Sequence, residues 1–144
     1  MIRIRCSDYT KEERETWYDL IRKSTMNVVE RDPSGIDSKT PGAKLDDGKS
    51  PILQGAIQYF PRALLEVSKV SMVGAKKYSW KGWEKVAGGI DRYGNALARH
   101  LAAEAIEGNY DVDTGELHAA QVAWNALARL ELILKEKETK NALR

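Results

Sequence analysis

The 144-residue chain has one cysteine, two histidines and four prolines. Each scarcity narrows the field. A single cysteine, Cys6, rules out an internal disulfide framework and suits a reducing cytosol, so a cytoplasmic protein is expected. One cysteine with two histidines also leaves little for a zinc site. A histidine–aspartate phosphohydrolase would need several histidines and an adjacent His-Asp pair, whereas His100 precedes Leu101 and His118 precedes Ala119. The opening "MIRIRCSDY" holds no apolar stretch of signal-peptide length, and no later run approaches the roughly 20 apolar residues of a membrane span. No membrane partner is therefore expected. No segment alternates apolar and polar residues as a strand would, and there is no internal repeat. The net charge of +2 is too small to argue for nucleic acid by itself.

What is present is a globular composition, 42% hydrophobic and 31% charged, which fits one domain over residues 1–144 with a core of respectable size. Thr10 followed by Glu13 reads as a capping box and predicts a first helix from about Lys11 to Arg22. Pro33, Gly35, Pro41, Gly42 and Gly48 mark residues 25–50 as a long loop of the kind that is functional or mobile. Pro61 suits a first helical turn and Gly74 a stop, which predicts a second helix between them. A third is expected from about Ile90 to Glu107 and a fourth from about Glu116 to Lys137, with Gly108 and Gly115 bracketing the turn. The tail from Lys135 is expected to fray. About four helices with short connections in the second half predict an all-α bundle.

Two of these helices carry acids near their apolar faces. On the third, Ile90, Tyr93, Leu97 and Leu101 make the apolar stripe, with Glu104 inside it and His100 and Glu107 at its edge. Asp111 would continue that row if the helix ran one turn further. On the second, Glu66 borders a face made by Tyr59, Ala63, Val67, Val70 and Val73. On the fourth, His118, Asn125 and Arg129 form a polar stripe. A carboxylate in a core must be paired, protonated or bound to metal, because an isolated buried charge costs several kcal/mol. Glu66 and Glu104 are thus either ion-pair partners of Arg92, Arg99 or Lys69, or ligands of a divalent ion. Oxygen ligands favour Mg²⁺ or Mn²⁺, and such sites commonly handle phosphates.

The stretch "GAKKYSWKGW", residues 74–83, follows the second helix and agrees with a phosphate-bearing ligand. Lys76 and Lys77 offer positive charge, to which Lys44, Lys49, Arg92 and Arg99 are candidates to add. Tyr78, Trp80 and Trp83 offer flat faces for a base, or else plugs for the local core.

From about Gly48 to Leu132 the chain resembles the phage and bacterial dATP/dGTP diphosphohydrolases, small all-α enzymes related to MazG nucleotide pyrophosphohydrolases. The resemblance rests on Asp46, Asp47 and Lys49 of the "DDGK" loop, on Glu66, and on Gly74 to Tyr78 with Trp83. It continues through Arg99-His100, "DVDTG" from Asp111 to Gly115, His118 and Asn125. MazG relatives show an ExxE pair followed by ExxD on a later helix. Here Ala63 stands before Glu66, and the ExxE spacing falls at Glu104 and Glu107.

The resemblance implies a MazG-like bundle completed by oligomerisation, as a homodimer or homotetramer, in a bacterial or phage-infected cell. It implies Mg²⁺- or Mn²⁺-dependent hydrolysis of purine deoxynucleoside triphosphates, dGTP or dATP, to the monophosphate. In phages with 2-aminoadenine DNA, family members remodel the nucleotide pool in this way. Glu66 and Glu104 are the first expected metal ligands, then Glu107 and Asp111. His100 would orient a ligand or accept a proton from the attacking water. Lys49, Lys76, Tyr78, Trp83, Arg92, Arg99, His118 and Asn125 are expected to bind substrate. The alternative is a non-enzymatic helical module that binds nucleic acid or a partner protein. Its support is the scatter of basic residues with tryptophans, and acids in core stripes speak against it.

Overall fold

The computed structural model describes residues 30–142, and the helix expected over Lys11–Arg22 lies outside them. The chain divides between Gln58 and Tyr59 into two units. The described part of the first is turns and bends over 30–50, as the turn signals predict. Gly35, Gly42 and Gly48 all take positive φ there. Asp32 organises this loop. Its carboxylate is buried and accepts hydrogen bonds from the backbone N–H of Ser34 and of Lys44, each at 2.7 Å. Arg31 also pairs with Asp47.

The Lys44 amide, then that of Ser34, holds the Asp32 carboxyl below its ordinary range. A carboxyl depressed by folding stabilises the loop above its unfolded pKa, and that contribution is lost as pH falls through the folded one. Amide-exchange protection at Ser34 and Lys44 is therefore expected to survive down to about pH 4 and to fail below it. Asp32→Ala should remove the protection at neutral pH. Equal exchange rates in parent and variant would show that other contacts hold the loop.

The second unit is all-α. Its described residues form α1 (Pro61–Lys77), α2 (Gly89–Glu107) and α3 (His118–Ala142), with one 3₁₀ turn at Gly82–Lys85. α1 begins with Pro61 at its first position, as expected, but runs through Gly74 to Lys77. A glycine inside a helix costs only about 1 kcal/mol. Ala75, Lys76 and Lys77 are good helix formers, and the lysines suit the negative end of the helix dipole. α3 likewise continues past Lys137, supported by Lys135–Glu131 and Lys140–Glu136 pairs one turn apart.

Among the described elements α3 is the central helix: α1 and α2 both pack chiefly on it. α2 and α3 run antiparallel. Gly89 faces Leu132, Gly94 faces Arg129, and His100 faces His118 at the other end. Small residues let them approach, with Ala120 and Ala128 buried on α3. A Cβ on Gly89 would lie 2.6 Å from Leu132 Cδ1, so any larger residue there must displace the leucine.

Trp83, Tyr93 and Trp124 form a triangle of edge-to-face contacts, with centroids 5.8–6.2 Å apart. Tyr93 Oη donates to the Trp83 carbonyl, and Trp124 Nε1 donates to Ser71 Oγ, which ties α3 to α1. Among the described elements α2 packs chiefly on α3, and part of its expected apolar stripe stays open: Leu101 is 50% exposed. No helix among the described residues is long and apolar enough to cross a membrane.

Candidate functional site

The turn between α2 and α3 gathers residues that are far apart in sequence. Gly108 ends α2 at φ 97°, ψ −168°, a conformation essentially reserved for glycine. The chain then folds back. Tyr110 and Leu117 form an antiparallel bridge, Gly115 N–H donates to the Asp111 carbonyl at 2.8 Å, and His118 N–H donates to that of Asn109 at 2.9 Å. Asp111 therefore does not continue a helical row, as the 100, 104, 107, 111 spacing suggested. It reaches the neighbourhood of His100 through this loop instead.

His100, Asp111 and His118 each offer a donor atom, and the three atoms lie within 4.8 Å of one another. His100 Nδ1 is 3.2 Å from His118 Nδ1. His118 is only 2% exposed, and its Nε2 has no hydrogen-bond partner among the described residues. Asp111 is oriented at both oxygens. Oδ1 accepts from the Asp113 N–H at 2.8 Å, and Oδ2 accepts from Gln121 Nε2 at 2.7 Å.

Burial pushes the His100 imidazole below its ordinary pKa, Asp111 opposes this, and His118 and Arg99 add to it. Burial also pushes the Asp111 carboxyl up. Hydrogen bonds from Gln121 and from the Asp113 and Thr114 backbone, with His100 nearby, outweigh it and leave the group below its usual range. A neutral His100 and an ionised Asp111 are the protonation states that metal binding requires. The donor chemistry, two imidazoles and a carboxylate, fits an ion here.

Beside this cluster lies a cleft of about 770 Å³, walled by α1, the Tyr78–Val86 segment, α2 and α3. Tyr78, Trp83, Arg92, Arg99 and Asn125 line it, all of them expected substrate contacts. Gln121 and Thr114 join cleft and cluster, since both line the cleft while Gln121 holds Asp111.

The remaining expected site residues lie elsewhere. Glu66 is half-buried and pairs with Lys69 at 2.7 Å. Glu104, one turn beyond His100, is half-buried and has no ion pair among the described residues; Glu107 is exposed at the end of α2. Lys76 is exposed and does not line the cleft, whereas Lys77 and Lys81 do. Lys49 is exposed in the first unit.

Sequence reasoning missed Gln121, although its place between His118 and Asn125 on the same polar face was a usable signal. It also missed Tyr93 and Trp124 as cleft walls, because aromatics at helical spacing look like ordinary core.

The turn makes a direct test possible. Gly108→Ala is expected to cost about 1–3 kcal/mol, because the backbone cannot keep this conformation with a Cβ. Thermal melts check it, and an unchanged Tm would mean that the turn adapts freely.

An all-α unit with a polar cluster at the edge of an aromatic, basic cleft is consistent with a nucleotide-handling domain. The family model described as dATP/dGTP diphosphohydrolase, N-terminal, matches residues 39–142, and the chain belongs to that family. It is 34% identical over 82 residues to the dATP/dGTP diphosphohydrolase of Salmonella phage PMBT28. That match covers 57% of this chain and 26% of the phage protein, so the chain spans about a quarter of the length of that curated relative. No solved structure matches.

Proposed function

We infer that this chain hydrolyses purine deoxynucleoside triphosphates, dGTP or dATP, to the monophosphate in a Mg²⁺- or Mn²⁺-dependent reaction in the cytoplasm. The observation that carries this reading is the cleft, where two arginines and aromatic faces open beside an ionised aspartate and two histidines. The family and the named activity of the phage relative support it.

Tyr78 and Trp80 are exposed aromatics at the cleft and suit the purine, with Lys77 Nζ over the Tyr78 ring at 5.5 Å. Trp83 is less free, because its edge contacts hold Tyr93 and Trp124, so it serves as wall more than as clamp. Arg92 and Arg99 stand about two turns apart on α2 and would neutralise the triphosphate, with Lys77 and Lys81 also lining the cleft. A bound divalent ion supplies charge neutralisation at the phosphates and a more acidic water. Asp111, charged and fixed by Gln121, is the best supported of the proposed ligands Glu66, Glu104, Glu107 and Asp111. Its position near His100, the neighbour of Arg99, supports chemistry at the Arg99 end of the cleft.

Nucleotide binding is testable without turnover. Three tryptophans line the cleft, so a non-hydrolysable dGTP analogue is expected to quench intrinsic fluorescence saturably, and dATP or dGTP to compete. Absence of any saturable change would remove the nucleotide from the cleft.

Glu104 tests the ligand set. No cation pairs with it among the described residues, so Glu104→Gln should strand no buried charge and leave the metal-free Tm unchanged or raised. If Glu104 binds the ion, the same change should abolish the rise in Tm on adding Mn²⁺. A variant that still shifts with Mn²⁺ would make Glu104 scaffold.

The open apolar residues Leu101, Ile106, Leu127 and Leu130 support the homodimer or homotetramer reading. Light scattering is expected to give at least twice the chain mass.

A further inference from the structure

We propose that His100, Asp111 and His118 form a binding site for a borderline first-row transition-metal ion, such as Co²⁺, Fe²⁺ or Zn²⁺, in preference to Mg²⁺. This shares Asp111 with the hydrolase reading and, of the two ions named there, favours Mn²⁺ over Mg²⁺ at this cluster. The ion's binding does not depend on nucleotide turnover.

Ligand softness decides the preference. Mg²⁺ takes oxygen ligands and dehydrates reluctantly, whereas imidazole nitrogen suits Zn²⁺, Fe²⁺ and their neighbours. Two of the three donors here are imidazoles. A site of two histidines and one carboxylate also leaves coordination positions open for water or a substrate oxygen.

The geometry agrees with a shared ion. Metal–nitrogen bonds of about 2.1 Å at tetrahedral angles would hold their nitrogens about 3.4 Å apart, close to the 3.2 Å between the two Nδ1 atoms. Asp111 keeps a lone pair free, since a carboxylate has about four acceptor positions and its partners are Gln121 and the Asp113 and Thr114 backbone. Three donors within 4.8 Å of one another can reach one ion by side-chain rotation.

A second observation concerns the two facing nitrogens themselves. His118 is only 2% exposed, and the Nδ1 atoms of His100 and His118 have each other as their hydrogen-bond partner among the described residues. That contact needs one of the two nitrogens protonated, whereas an ion between them gives both lone pairs a partner at once. Gln121 and the Asp113 amide hold Asp111 in place, as the supporting hydrogen bonds of a metal ligand do.

The probe is Co²⁺ added to the untagged, metal-stripped full chain. Visible d–d absorption should rise and saturate at one ion per chain. Zn²⁺ should displace the colour at stoichiometric amounts, and Mg²⁺ should leave it unchanged even in large excess. His100→Gln and Asp111→Asn are expected to weaken Co²⁺ binding by at least about 10–100-fold. Far-UV circular dichroism run in parallel shows that the variants still fold. Three results would each overturn the proposal: no saturable Co²⁺ spectrum, displacement by Mg²⁺ on equal terms, or parental affinity in both folded variants. Loss of nucleotide hydrolysis alone would leave these readings unchanged, so the two proposals fail separately.

Discussion

Asp111→Asn is expected to lower nucleotide turnover by more than about 100-fold while the chain still folds. Changes to residues that merely support a metal ligand cost about 10–100-fold, and a ligand itself should cost more. The substitution keeps shape but removes the charge at the point where α2, the return loop and α3 meet. It also replaces one acceptor oxygen by an amide, so the contact with Gln121 or that with the Asp113 amide is lost. Losing a hydrogen bond to a charged group costs about 1.5–3 kcal/mol, so Tm should fall moderately. Turnover and Tm together separate the roles. Near-parental kcat with a lowered Tm would make Asp111 a structural clip.

Arg99 should give the second large effect. It lines the cleft next to His100 and has no ion pair among the described residues, so its charge is available to a ligand. Removing one preorganised positive or hydrogen-bonding contact to a developing phosphate charge costs about 10²–10³-fold in rate. Arg99→Met is expected to lower kcat/KM for dGTP by that amount with little change in Tm, because the side chain is exposed. Arg99→Lys should recover only part of it, since an ammonium cannot offer the planar fork of a guanidinium. An unaltered kcat/KM in Arg99→Met would return the residue to the solvated surface.

The helices were legible because their signals are local. Pro61 marks a start, Gly108 and Gly115 bracket a turn, and apolar residues recur at helical spacing between them. Where boundaries differ, weak local signals lost to context. Gly74 was outvoted by the helix formers after it, and the tail beyond Lys137 is held by pairs one turn apart.

Much of the cleft was also legible. Tyr78, Trp83, Arg92, Arg99 and Asn125 do share one cavity. The meeting of His100 with His118 was not foreseen, and two histidines in 144 residues had argued against a nitrogen-rich metal site. A count of ligands carries no distance. Antiparallel helices joined by a short turn bring residues 18 apart face to face, and only the Gly108 turn fixes which residues meet. Glu104 is half-buried, like Tyr93 and Leu97 of the stripe where the helical wheel puts it, but a wheel does not reveal that Leu101 between them would be half open.

The most direct test of the reading is to incubate this chain with dGTP, dATP and the other common nucleoside triphosphates, with Mg²⁺, with Mn²⁺ and in excess EDTA. Chromatography of the products then decides. The expected result is dGMP or dAMP, formed from the purine deoxynucleotides only when a divalent ion is present. Turnover that is equal in EDTA, or no monophosphate with either ion, would contradict it.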